Sequence, residues 1–217
     1  MKRILTLVFV VLAVAAAATT VLAADYDRYE RGYPPSSPPP PRAAYAPPPQ
    51  HAVHGQTYFF AHLGGFDPND ESPTATGGGL EGYDSGGAFD IGIGSRVSPI
   101  LAIDGTFGAY RADAGPNEVT VVPLTFGVRL IVPHPFLEPY VSAGMGIYSA
   151  NLDEPSSGIN DSDTTFGGYA GVGIDAWLNP RIALNFEAKH HWVEPEFNGF
   201  DVNVGGWTVG MGVRVSF

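Results

Sequence analysis

The sequence predicts an all-β fold: an antiparallel transmembrane β-barrel of about eight strands, preceded by a signal peptide and a disordered Pro-rich linker. Three observations carry that expectation. The N-terminus reads as a secretory leader, the C-terminal three-quarters alternates apolar with small or polar residues in short runs, and the last run ends on Phe217.

The leader occupies residues 1–23. Lys2 and Arg3 form a basic start, Ile4 to Ala18 is an uncharged apolar run, and Val21-Leu22-Ala23 supplies the modest side chains of a cleavage site. The run is shorter than the roughly 20 residues of a spanning helix, and polar residues follow from Asp25. The chain has no Cys, which excludes a lipidated N-terminal Cys, disulfides and thiolate metal sites. Without Lys2 and Arg3 the chain keeps nine Lys and Arg against 22 Asp and Glu, a formal charge of −13. Such a chain repels nucleic acid, so no nucleic-acid partner is expected.

Residues 24–55 are low in complexity, with Pro34-Pro35, Pro38 to Pro41 and Pro47 to Pro49. Proline fixes φ and removes the backbone donor, which leaves an extended spacer in place of helix or sheet. Tyr26, Tyr29, Tyr33 and Tyr45 are interleaved with it. The composition favours a spacer over a ligand for the cell wall or a periplasmic protein.

Residues 56–217 form the expected barrel. Its runs are Gln56 to Gly64, Gly87 to Val97, Leu101 to Arg111, Val119 to Val132, Pro139 to Ala150, Thr165 to Leu178, Arg181 to Trp192 and Val204 to Phe217. Each has about the ten residues that a tilted strand needs to cross a bilayer. Ser98-Pro99, Pro133-His134-Pro135 and Asn179-Pro180 mark tight turns, and the alternate connections are longer and polar. Short periplasmic turns and long outer loops are the outer-membrane pattern, and both ends of the barrel then lie on the periplasmic side.

A period of two sorts each run onto two faces. Trp207, Val209, Met211, Val213, Val215 and Phe217 oppose Thr208, Gly210, Gly212, Arg214 and Ser216. Phe89, Ile91 and Ile93 oppose Asp90, Gly92, Gly94 and Arg96, while Leu124, Phe126 and Val128 oppose Thr125, Gly127 and Arg129. Leu184 and Phe186 oppose Asn185, Glu187 and Lys189. The faces opposite the apolar rows mix Gly with charges of both signs, as suits the narrow interior of a small barrel. There Asp90, Arg96, Asp104, Arg129, Asp175, Glu187, Lys189 and Arg214 are expected to pair, because isolated charge in that space is costly. The neighbouring Gly212 is expected to tolerate Ala if the lumen has slack beside it.

The segments Val121 to Arg129, Glu138 to Gly146 and Gly205 to Phe217 resemble small outer-membrane β-barrel proteins of the opacity-type and outer membrane protein W-like group. The resemblance covers residues 56–217 and implies an outer-membrane location, outer-membrane lipid as surroundings and the barrel assembly machinery as a partner. It also implies that the row Trp207, Val209, Met211, Val213, Val215 and Phe217 acts as the assembly signal. Function is implied only broadly, since such folds host many roles.

No catalytic, cofactor or metal motif is expected. His190-His191 with Glu194 and Glu196 has no compact zinc spacing, and adjacent strand residues point to opposite faces, so an interfacial pair at the outer strand end is the simpler reading. The acidic stretches Asp67 to Glu71 and Asp153 to Asp163 read as solvated loops, lacking the calcium-loop Gly and closing Glu. Gly77-Gly78-Gly79 has no following Lys-Ser/Thr, and no Gly-x-Ser-x-Gly accompanies the His residues. A structural or surface-interaction role without catalysis is therefore expected first, a conduit for small hydrophobic molecules second, and a lipid-modifying enzyme third. A filled lumen would favour the first, and an apolar opening in the wall the second.

Overall fold

Alternation along every long run produces strands, and their ladder closes on itself. The computed structural model describes residues 55–69, 77–155, 159–197 and 199–217. The expected leader and all of the linker before Gly55 lie outside these residues. The barrel strands are β1 (Thr57–Pro68), β3 (Asp84–Ser98), β4 (Leu101–Ala114), β5 (Asn117–Ile131), β6 (Leu137–Glu154), β7 (Ile159–Trp177), β8 (Ile182–Trp192) and β11 (Gly206–Ser216). Three short strands, β2 (Gly77–Gly79), β9 (Glu196–Phe197) and β10 (Phe200–Asn203), lie in the long connections. All barrel neighbours are antiparallel. The order β1-β11-β8-β7-β6-β5-β4-β3 closes where Tyr58 pairs with Ser216 and Phe217 N–H donates to Thr57 O at 2.9 Å. Closure removes both sheet edges, so every strand finds partners on both sides.

The packing is inside-out. Large apolar side chains such as Leu63, Ile93, Leu124, Phe126, Met145, Phe166 and Met211 face outward and exposed, while Arg96, Asp104, Arg129, Glu138, Asp175, Glu187, Lys189 and Arg214 are buried inside. A soluble sandwich would place these two sets the other way round. Contiguous outward apolar rows on every strand fit hydrocarbon, and they form the belt of a membrane barrel.

Interior glycines make room for rings on the adjacent strand. Tyr58 pairs with Gly94, Phe60 with Gly92, Tyr140 with Gly173 and Tyr169 with Gly144. A Cβ at any of these glycines would meet the partner ring. Gly212 is also tightly packed, because a methyl there would run into the Ala61 carbonyl and the His62 ring. The slack that would let Ala replace it is absent.

The short turns are stitched by side chains. Asn179 Oδ1 accepts from the Arg181 and Ile182 amides at 2.9 and 3.0 Å, and Ser98 Oγ accepts from the Ile100 amide at 3.3 Å. His134 Nδ1 accepts from the Leu137 amide at 3.3 Å. At the opposite end the structure corrects two expected loops. The stretch Asn151 to Asp163 is mostly ladder, with Ala150 paired to Asp163 and Asp153 to Asn160. Likewise β4 and β5 run on to a turn at Gly115-Pro116, where Gly115 takes φ 62°. Beyond the membrane both faces of a hairpin can be polar, so lost apolar alternation does not end a strand while backbone pairing continues.

Candidate functional site

The candidate site is the lumen, built in layers from the turn end upward. Nearest the short turns, Arg96 donates from both terminal nitrogens to Glu138 at 3.1 and 3.0 Å, and Trp177 Nε1 donates to the same carboxylate at 2.9 Å. Above them Arg129 pairs with Asp104 at 3.2 Å and Arg214 with Asp175 at 3.1 Å. Asn185 links Asp175 to Tyr140, donating to the carboxylate and to Tyr140 Oη. The two guanidinium groups also lie over rings: Arg129 is 4.1 Å from the Tyr140 centroid and Arg214 4.4 Å from that of Tyr58. Higher still, Lys189 Nζ is 3.0 Å from both Asp90 and Glu187, and His62 Nδ1 is 2.6 Å from Asp90.

Each buried charge thus has an opposite partner, which offsets a desolvation cost of several kcal/mol per ion. The eight charged residues singled out from the sequence all lie in this column. Asp104–Arg129, Asp175–Arg214 and the Asp90–Lys189–Glu187 triad are formed among themselves. Arg96 pairs instead with Glu138, which the alternation pattern misses because the strand was expected to begin one residue later, at Pro139. His62 is missed for another reason. Tyr58, Phe60 and His62 alternate with Phe59, Ala61 and Leu63, so neither row of β1 is distinctly polar.

His62, Asp90 and Glu187 place one ligand atom each within 4.8 Å, the spacing of a metal set. Lys189 already supplies the cation there, in contact with both carboxylates. That single ammonium offsets one of the two carboxylate charges, and its contacts with both are an ion pair formed by the chain itself. The two adjacent histidines point to opposite faces, as strand alternation predicts. His190 faces outward, its ring 4.6 Å from that of Trp192 and 5.0 Å from that of Trp207. His191 faces the lumen, hydrogen-bonded to Tyr148 Oη at 3.3 Å and Thr208 Oγ1 at 3.1 Å.

An apolar layer closes the far end. The long connections contribute Leu80, Val193, Phe197 and Val204, which pack on Phe66, Tyr110, Val119, Val121 and Tyr148. β10 holds these connections together, pairing parallel to β2 and antiparallel to β9. Burying each such side chain stabilises the cap by about 1.5–3 kcal/mol. Gly77-Gly78-Gly79, read from sequence as loop, is therefore the strand that ties one connection to the other. Between cap and charge column lies a cavity of about 40 Å³, lined by His62, Asp90, Lys189 and His191 together with wall residues Leu63 and Pro123. It has room for a few waters at most.

A closed eight-stranded barrel with an apolar outside and a charged inside defines a membrane class, and comparison with known proteins gives it a family. The model of the outer membrane protein beta-barrel domain matches residues 43–214. The chain belongs to that family. Like other members of this outer-membrane barrel family it is an outer-membrane protein. No curated protein matches the sequence. Among solved structures the barrel is similar to Neisserial surface protein A, at 18% identity and TM-score 0.59, covering 74% of this chain and 97% of that one. It is also similar to the outer membrane protein OprG from Pseudomonas aeruginosa, at 13% identity and TM-score 0.57, covering 78% and 99%. The N-terminal β-barrel domain of Pseudomonas aeruginosa OprF aligns at 16% identity and TM-score 0.50, covering 76% and 100%. At these identities the likeness is one of fold.

Proposed function

We propose that this protein is a non-enzymatic outer-membrane barrel with a structural or surface-interaction role, closed to ion flow by its own side chains. The carrying observation is the doubly blocked lumen: a column of paired charges below and an apolar cap above. An ion entering would have to break buried pairs and displace packed side chains. Purified protein in planar bilayers is expected to give no large, steady, porin-like conductance, and such conductance would overturn the reading.

One observation favours the second reading, a conduit for small hydrophobic molecules. Between the pairs Phe107↔Leu124 and Tyr110↔Val121, the β4–β5 ladder skips Gly108, Ala109, Val122 and Pro123, where Pro123 has no N–H to give. The small cavity touches the wall at Ala109 and Pro123. Uptake of a small apolar fluorophore into lipid vesicles that carry the protein, without ion conductance in planar bilayers, would favour this reading over the first.

The outward row Trp207, Val209, Met211, Val213, Val215 and Phe217 serves, on this reading, as the signal for the assembly machinery. Phe217 is exposed at the barrel's closing seam, with its amide on Thr57. Deleting Phe217 is expected to lower outer-membrane levels and the heat-modifiable gel form; unchanged levels would refute the role. The Pro-rich segment, on composition, spaces the barrel from the cell wall or a periplasmic protein.

A further inference from the structure

A notch in the barrel's outer surface lies where the belt gives way to polar residues. On β3 the register shifts between Ser85 and Ala88, so that Gly86 and Gly87 together stand opposite the Arg111 position of β4. A bulge of this kind bends the strand and leaves the wall uneven. A Cβ on Gly87 would meet nothing within 4 Å, so the surface there is recessed beside the large side chains. Leu63, Gly87, Phe89, Ala109, Arg111 and Thr120 line the resulting cleft of about 410 Å³.

Chemistry changes along the length of the cleft. Outward residues below it are apolar: Leu63, Phe89, Phe107 and Leu124 are all exposed. Arg111 and Thr120, which pair across β4 and β5, begin the polar rim. That level is where hydrocarbon ends and head groups begin. Arg111 is also singular. Of the Lys and Arg beyond residue 54, Arg96, Arg129, Lys189 and Arg214 face the lumen and Arg181 sits in a short turn. Arg111 is therefore the outward cation of the long-connection end, with its side chain 57% exposed. Its ion pair with Glu118 is long, 3.8 Å, and the other Glu118 oxygen accepts from Thr120 Oγ1 at 2.8 Å. The guanidinium keeps donors for a second anion, and a guanidinium fork suits phosphate.

We propose that this notch binds one phosphate-bearing lipid of the outer leaflet, with an acyl chain in the cleft between Leu63, Phe89 and Ala109 and its phosphate on Arg111. The site rests on the long-connection end facing outward, and not on whether the lumen conducts. Apolar walls exclude a free anion from the lower cleft, and the single cation selects a chain that carries negative charge at its end.

Native mass spectrometry of the full-length mature protein, delipidated in mild detergent and titrated with lipid A, tests this. One lipid A is expected to bind in preference to its dephosphorylated form. Arg111→Gln is expected to weaken binding roughly tenfold or more, the worth of a charged hydrogen bond, with partial recovery in Arg111→Lys. Ala109→Phe, which fills the cleft from the lipid side, is expected to weaken binding while leaving heat-modifiable migration unchanged. Arg181→Gln is the control and is expected to bind as wild type does. Equal binding by Arg111→Gln and Ala109→Phe, equal affinity for dephosphorylated lipid A, or equally strong binding of inorganic phosphate would each overturn the proposal. Ion conductance by the same preparation would refute the closed-lumen reading and leave this result untouched.

Discussion

Arg96→Met is expected to destabilise the barrel by about 3–5 kcal/mol, because it strands a buried carboxylate. Glu138 is fully buried, and its charge is met by the two Arg96 nitrogens with Trp177 Nε1 as a third donor. Removing the guanidinium takes away the cation that meets this enclosed carboxylate through two hydrogen bonds. Replacing both partners with apolar residues of similar size avoids that isolated charge. The double variant Arg96→Met/Glu138→Leu should therefore recover much of the loss. Urea unfolding of the protein in lipid vesicles reads the difference. A single variant no less stable than the double would show that the pair does not hold this layer together.

Val213→Arg carries the next largest expected loss, about 2–4 kcal/mol if the position lies near the bilayer midplane and less toward an interface. Val213 faces outward and lies in one row with Ala61 of β1 and Leu184 of β8. The substitution would put a charge into hydrocarbon. Its neighbour responds for a different reason. Gly212→Ala pushes a methyl against the Ala61 carbonyl and His62, and overpacking of this kind typically costs about 1–3 kcal/mol. The two losses can be similar in size, so the lipid-facing assignment needs a positional readout. Labels on single Cys at Val209, Met211 and Val213 should be quenched by acyl-chain quenchers. Gly210 is the fitting inward control, since a Cβ there comes no nearer than 3.2 Å to its neighbours. Equal quenching at Val209 and Gly210 would overturn the assignment.

How far the sequence reaches can be followed residue by residue. The apolar rows on β3, β5, β8 and β11 are legible because one face is all large apolar side chains and the other mixes Gly with charge. That contrast also picks out Asp90, Arg129, Glu187, Lys189 and Arg214 as inward. β1 offers no such contrast, and the inward role of His62 rests on its contact with Asp90 of β3 at 2.6 Å. Alternation also loses force outside the membrane, where β6 and β7 extend to 18 and 19 residues through a stretch that reads as loop.

By itself, then, the sequence determined the architecture. A strict period of two, sustained over some eight membrane-length runs, admits few folds other than a closed sheet with an apolar outside. It determined the polar character of the lumen as well, since charges of both signs on the inward phase must face each other across a narrow interior. Only the tertiary structure decided which charges pair: Arg96 with Glu138, Arg129 with Asp104, Arg214 with Asp175. The partners come from strands far apart in sequence, and their meeting depends on the stagger of the closed ladder, which no local pattern encodes. The cap was decided in the same way. Leu80 and Phe197 lie in connections that look polar along the chain, and Val204 at the expected start of the last strand; their burial follows from the barrel mouth offering Phe66, Tyr110 and Tyr148 as apolar surface to cover.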